Sequence, residues 1–107
     1  MTHTDDHTTV SIQADGRTLA AADIRPAEEP GVVRSALHVE SGQLPAGTRT
    51  ALVDAVLEHP AVDSAEKLVA TMPISDTEMI DRVRERTDDV EARATGATKI
   101  VEARLEK

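Results

Sequence analysis

From Thr9 to Ala14 polar and apolar side chains alternate: Val10, Ile12 and Ala14 against Thr9, Ser11 and Gln13. A period of two marks a strand with one buried face. Asp15-Gly16 follows, a pair whose backbone tolerates positive φ, so a hairpin is expected with a return strand from Arg17 to Ile24. Pro26 and Pro30 punctuate a loop over 25–31. The next segment, "VVRSALHVES", alternates again. Val33, Ser35, Leu37 and Val39 take one face; Val32, Arg34, Ala36, His38 and Glu40 take the other.

The period then changes. Leu52, Val53, Val56 and Leu57 recur at helical spacing, and His59-Pro60 closes that helix because the residue before proline avoids the α region. The segment "AEKLVATMP" reads as a fourth strand centred on Lys67 to Met72. In "ISDTEM", Ser75 and Glu78 are spaced as a capping box, with Ile74 and Met79 as the hydrophobic staple around it. Asp76 adds negative charge where a helix dipole favours it. The second helix turns Met79, Ile80 and Val83 inward, and Met72 and Met79 are expected to fill core gaps. Glu78 and Arg82, four apart, can pair on the outer side. The run from Asp81 to Arg93 is charged in both signs and reads as a solvated face. Gly96 breaks it, and "TKIVEARL" forms a last strand.

Short turns make the first three strands an antiparallel meander. The third and fourth, joined through a helix, are expected to be parallel neighbours with a right-handed crossover. The reading is an α+β fold: one mixed five-stranded sheet (βββαβαβ) with two helices. It assigns residues 9–107 to a single domain and residues 1–8 to a disordered polar tail. His3 and His7 in that tail are spaced for a metal only on a helix, and a Thr-rich tail is not expected to form one, so no metal site is expected.

Composition adds limits. The 107 residues include 23 valines, leucines and isoleucines and no aromatic residue, so the core is thin. A homodimer is expected to supplement its stability. The net charge of −8 argues against a basic face for nucleic acid, and no aromatic ring is present to stack on a base. The absence of cysteine excludes disulfides and thiolate metal sites. No apolar run reaches the roughly 18 residues of a membrane span, and "MTHTDDHTTV" lacks the regions of a signal peptide. A cytoplasmic protein without membrane contact is the expectation.

The stretch "LPAGTRTALVDAVL" joins a Gly-containing loop to a leucine-containing helix. On these residues, and on the element order of residues 9–105, the chain resembles the second and larger part of the GNAT (N-acetyltransferase) superfamily fold. There, an R/Q-x-x-G-x-G/A loop and the helix behind it hold the pyrophosphate of acetyl- or acyl-coenzyme A. Setting Leu52 on the family's helix leucine puts Gly47 on the first motif glycine. It puts Arg49 where the family has its second Gly or Ala, and Leu44 where it has Arg or Gln, with Gln43 one place away. The family's first strand and first two helices find no counterpart in this element order. The chain also resembles certain small actinobacterial proteins that contain a similar "LPAGTR" segment.

The resemblance implies coenzyme A or acetyl-coenzyme A as cofactor, held by Gln43, Gly47, Thr48, Arg49, Thr50 and Ala51. N–H groups from about Gly47 to Ala51 would point along the helix axis at an anion, and Arg49 could add a charge-assisted bond to phosphate. The competing reading makes Pro45-Ala46-Gly47 a tight turn, Thr48 an N-cap and Arg49 a plug. His38 and Glu40 stand near the place where the resembling enzymes commonly keep a general base, although Arg34 could simply pair with Glu40. The tyrosine that often protonates the leaving thiolate in that family has no equivalent here. The favoured function is a degenerate acyl-CoA-binding or protein-interaction module. The alternative is a minimal acyl-CoA-dependent N-acyltransferase completed by dimerisation.

Overall fold

The computed structural model describes residues 8–40 and 43–105. Most of the expected tail, with His3 and His7, lies outside the described residues. Thr8, assigned to that tail, instead opens the first strand.

β1 (Thr8–Ala14), β2 (Arg17–Pro26) and β3 (Val32–Val39) form the antiparallel meander. Asp15 and Gly16 between β1 and β2 both have positive φ, 53° and 77°, as a two-residue hairpin requires. α1 (Thr48–Glu58) then crosses to β4 (Lys67–Pro73), which lies parallel to β3. α3 (Glu78–Arg86) follows, then β5 (Asp88–Thr95) and β6 (Thr98–Arg104). The strand order is β1-β2-β3-β4-β6-β5.

Two elements add to the expected architecture. The sheet has six strands among the described residues, because 88–95 forms an edge strand beside β6. Of β5's side chains only Val90 is half-buried and the rest are exposed, so no apolar alternation betrays it. A four-residue helix, α2 (Pro60–Asp63), is the third helix. The proline that stops α1 serves as its first residue, where a missing N–H costs nothing.

The helices cover one face of the sheet. Leu52, Val53 and Val56 of α1 and Met79, Ile80 and Val83 of α3 are buried against that face. Beneath them the sheet offers a floor of small residues, Ala20, Ala22, Ala70 and Ala103, between larger Ile24, Leu37 and Leu68. Alternating small and large residues let the layers interdigitate without an aromatic ring. Each fully buried Leu or Val contributes about 1.5–3 kcal/mol, and Met72 and Met79 are buried within this core as expected. The other face has no helix on it among the described residues. Ala36, Val69, Thr71 and Ile100 are half-buried there, with the Lys67–Glu102 ion pair at 2.9 Å across them.

α1 and α3 are clamped by charge. Asp54 accepts from Arg82 Nε at 2.8 Å and Arg82 Nη2 at 3.1 Å, and from Arg86 Nη1 at 2.9 Å. Arg82 therefore reaches across to α1 and to Glu85 rather than back to Glu78. The hydrogen bond from Arg82 is the main influence holding the Asp54 carboxyl below its ordinary range. Partial burial opposes it, and Arg86 reinforces it.

Candidate functional site

The β3–β4 ladder stops before its strands do. Pairing runs from Val32↔Lys67 to Ala36↔Thr71, yet β3 continues to Val39 and β4 to Pro73. The two parallel strands part at their C-terminal ends. Beside the gap lie the first turn of α1 and the turn entering α3. An open cleft of about 510 Å³ results, bordered by Val39, Glu40, Arg49, Pro73, Asp76 and Glu78 among others.

The loop into α1 is built by Pro45 and Gly47. Gly47 adopts the left-handed region at φ 85° and occupies the cap position without any side-chain cap. A Cβ at Gly47 would meet nothing within 4 Å, so glycine is needed for its backbone angle and not for close approach. Thr48 is buried and is the first residue of the helix rather than its N-cap. Its hydroxyl donates back to the Pro45 carbonyl at 2.7 Å, and its amide does so at 3.2 Å. Ala51 donates to the Gly47 carbonyl at 2.8 Å. The amides of Arg49 and Thr50 stand in the first turn, where a helix offers no acceptor of its own.

The side chains of Arg49 and Thr50 both meet carboxylates. Arg49 Nε donates to Asp76 Oδ2 at 2.7 Å, and the Asp76 side chain is only 4% exposed. The other oxygen of Asp76 accepts from the Met79 amide at 2.9 Å. Asp76 therefore caps α3, in place of the expected capping box at Ser75. Ser75 is exposed, Ile74 is 43% exposed instead of stapled, and Glu78 accepts from the Thr50 hydroxyl at 3.1 Å. The Asp76 carbonyl also accepts from Lys99 Nζ, the end of a buried lysine on β6. Aspartate prevails over serine because one carboxylate serves two donors here, the α3 amide and the Arg49 guanidinium.

The structure brings only part of the anticipated site together. Arg49 and Glu40 border the same cleft. Glu40 pairs with Arg17 at 2.6 Å, not with Arg34. His38 is exposed on the face without helices, opposite Ala21, and does not line the cleft. Gln43 is exposed outside the cleft lining, and Ser41 and Gly42 lie outside the described residues. The residues that sequence reasoning missed are the Asp76 carboxylate as a partner for Arg49, and Lys99. The position of Lys99, in step with buried Val101 and Ala103, was the available signal. Among the described residues no group of three or more His, Cys, Asp or Glu is placed to hold a metal ion, and no helix is long and apolar enough to cross a membrane.

The chain superposes on an acetyltransferase of the GNAT family from Streptococcus pneumoniae with a TM-score of 0.66 over 96% of its length, at 10% identity. The fold is that of the GNAT acetyltransferases. The GNAT domain of S. lividans PAT gives a TM-score of 0.65 at 16% identity over 97% of this chain. A GNAT-fold enzyme solved with coenzyme A, the PaiA N-acetyltransferase of Thermoplasma acidophilum, gives 0.64 at 8% identity over 94%. The chain spans 65%, 69% and 62% of the S. lividans, S. pneumoniae and T. acidophilum structures respectively. No family model matches the sequence, and no curated protein matches it. At these identities the GNAT fold is shared and the activity is a separate question.

Proposed function

We infer that this chain is a non-catalytic GNAT-fold protein-interaction module whose cofactor cleft is latched at its phosphate end. The observation that carries this reading is the Arg49–Asp76 pair at 2.7 Å, with the carboxylate buried. The cation that would meet a pyrophosphate is already neutralised. Releasing it would leave a buried carboxylate without its charge partner, which is costly. Glu40 and Glu78 border the same cleft and add repulsion toward a polyanion. His38, the other candidate base, stands away from the cleft.

Amide NMR shifts during titration with coenzyme A and acetyl-coenzyme A test the reading. The amides of Gly47 to Ala51 are expected to stay in place, and Arg49→Ala is expected to leave affinity unchanged or to create it. Micromolar binding by the unmodified protein, weakened at least tenfold by Arg49→Ala, would show that Arg49 is a phosphate ligand.

One observation favours a second reading, an acyl-CoA-dependent N-acyltransferase completed by a second copy. Beyond Ala36 and Thr71 the parted strands leave backbone groups unpaired with each other, as an extended ligand arm inserted between them would require. The same titration separates the readings. In the second, Leu37 to Val39 shift together with Gly47 to Ala51.

A further inference from the structure

The two faces of the sheet differ in charge as well as in cover. Residues opposite one another in a ladder share a face, so the register places Arg25, Arg34, Lys67, Arg93 and Arg104 on the side without helices. The strand carboxylates on that side are Asp23, Asp88, Glu91 and Glu102. Five of the chain's 12 lysines and arginines thus stand here, against four of its 20 aspartates and glutamates. The molecule carries −8 overall, and on this face the balance is reversed.

Three of the five cations are held: Arg25 by Asp23, Lys67 by Glu102 and Arg104 by Asp89. Arg34 on β3 and Arg93 on β5 are exposed and have no carboxylate at ion-pairing distance among the described residues. Between them lies an apolar floor, Val69 of β4 and Ile100 of β6, both half-buried. A trough of about 660 Å³ runs over both and is flanked by the two arginines, with Glu28 and Glu29 at the end near the β2–β3 loop. A hollow of about 230 Å³ continues it past Ala36 and Thr71.

We propose that this face docks an amphipathic α-helix of another protein, with its apolar stripe on Val69 and Ile100 and acidic flanks on Arg34 and Arg93. The dimensions select a helix. β3 and β5 are three strand steps apart, roughly 14 Å at about 4.8 Å a step, and an α-helix with its side chains is about 10–12 Å across. An extended peptide lying on a sheet face would leave its own backbone groups unpaired, whereas a helix satisfies them internally. Charge selects the flanks, because two guanidinium groups without partners stand in a chain rich in carboxylates. A second copy is a poor occupant. Its α1 and α3 already bury their apolar sides in their own core, and its α2 has only four residues. Nucleic acid is disfavoured by the net charge of −8 and by the lack of aromatic rings. The inference names a partner for the interaction module proposed above and rests on that reading, but it uses no residue of the cleft.

The test titrates the full chain with a synthetic peptide of about 15 residues, near the length at which an isolated helix holds. The peptide is built from alanine, a leucine stripe and glutamates along both flanks. A second peptide carries lysines in place of the glutamates. With the glutamate peptide at about 100 µM, within the range of modest affinities, the amides of Ala36, Val69, Thr71 and Ile100 are expected to shift while those of Gly47 to Ala51 stay in place. Arg34→Ala/Arg93→Ala is expected to weaken binding at least tenfold. Arg34→Glu/Arg93→Glu is expected to bind the lysine peptide instead. Both side chains are exposed, so neither double variant disturbs the core. The cleft is read by coenzyme A and the sheet face by the peptide, so each reading can fail alone. No binding at about 1 mM peptide, equal affinity for the two peptides, or an unchanged double variant would each overturn the proposal. So would the same shifts produced by concentrating the protein alone, which would make a second copy the occupant, or by phosphatidylserine vesicles and not the peptide, which would make the face a lipid surface.

Discussion

Arg49 and Asp76 lie 27 residues apart in sequence, and their side chains meet at 2.7 Å where α1 and α3 begin. The Asp76 carboxylate caps α3 and holds the guanidinium of α1, while the backbone carbonyl of the same residue accepts from Lys99 of β6. The contact joins three elements at the mouth of the cleft, so it bears on stability and on ligand access together.

Stability should therefore depend on Asp76 and not on Ser75. Asp76→Ala removes a cap and breaks a largely buried pair, and is expected to cost about 2–3 kcal/mol. Ser75→Ala, at an exposed position, is expected to stay within about 0.5 kcal/mol. Urea midpoints at constant m measure both. A larger loss at Ser75 than at Asp76 would place the cap at Ser75.

Acid should act through Asp54. Its folded pKa is depressed by Arg82, so its contribution is complete above the unfolded value of about 3.9 and disappears as pH falls through the folded value. Asp54→Asn is expected to be less stable than the unmodified protein at about pH 6, with the gap closing toward about pH 2. A stability difference that does not change between those pH values would mean that Arg82 and Arg86 do not hold the carboxylate.

Gly47 offers a backbone test. An alanine at a φ of 85° meets no atom but pays the left-handed penalty. Gly47→Ala is expected to cost about 1 kcal/mol, and Gly47→Asn less, because asparagine enters that region more readily. Thermal midpoints distinguish them. Alanine and asparagine of equal stability would contradict the left-handed cap.

Ser35 sits in the core face of β3, 3% exposed, and its hydroxyl finds no partner among the described residues. An unpaired buried hydroxyl loses solvation without a return. Ser35→Ala is expected to be neutral or to stabilise by about 1 kcal/mol. Chemical denaturation that shows a loss above about 1 kcal/mol would reveal a hydrogen bond at Oγ.

The sequence by itself determined the elements whose signal is short-range. The alternation in β1 and β3, the Asp15-Gly16 turn and the 52–57 helical stripe each repeat within about four residues, the reach of one turn or one pleat. The parallel β3–β4 pair followed as well, because neighbouring strands joined by a helix that crosses over the sheet run in the same direction. β5 was invisible, since a strand whose side chains are nearly all exposed has no apolar period and owes its place to pairing with β6. The cap of α3 was ambiguous, because Ser75 and Asp76 are both good acceptors next to a helix start. Only the approach of Arg49 across the fold chose between them. The parting of β3 from β4 after Ala36 and the separation of His38 from Glu40's cleft were likewise decided by tertiary structure. Charge partners and strand register depend on where distant segments come to rest, and no local pattern of residues encodes that distance.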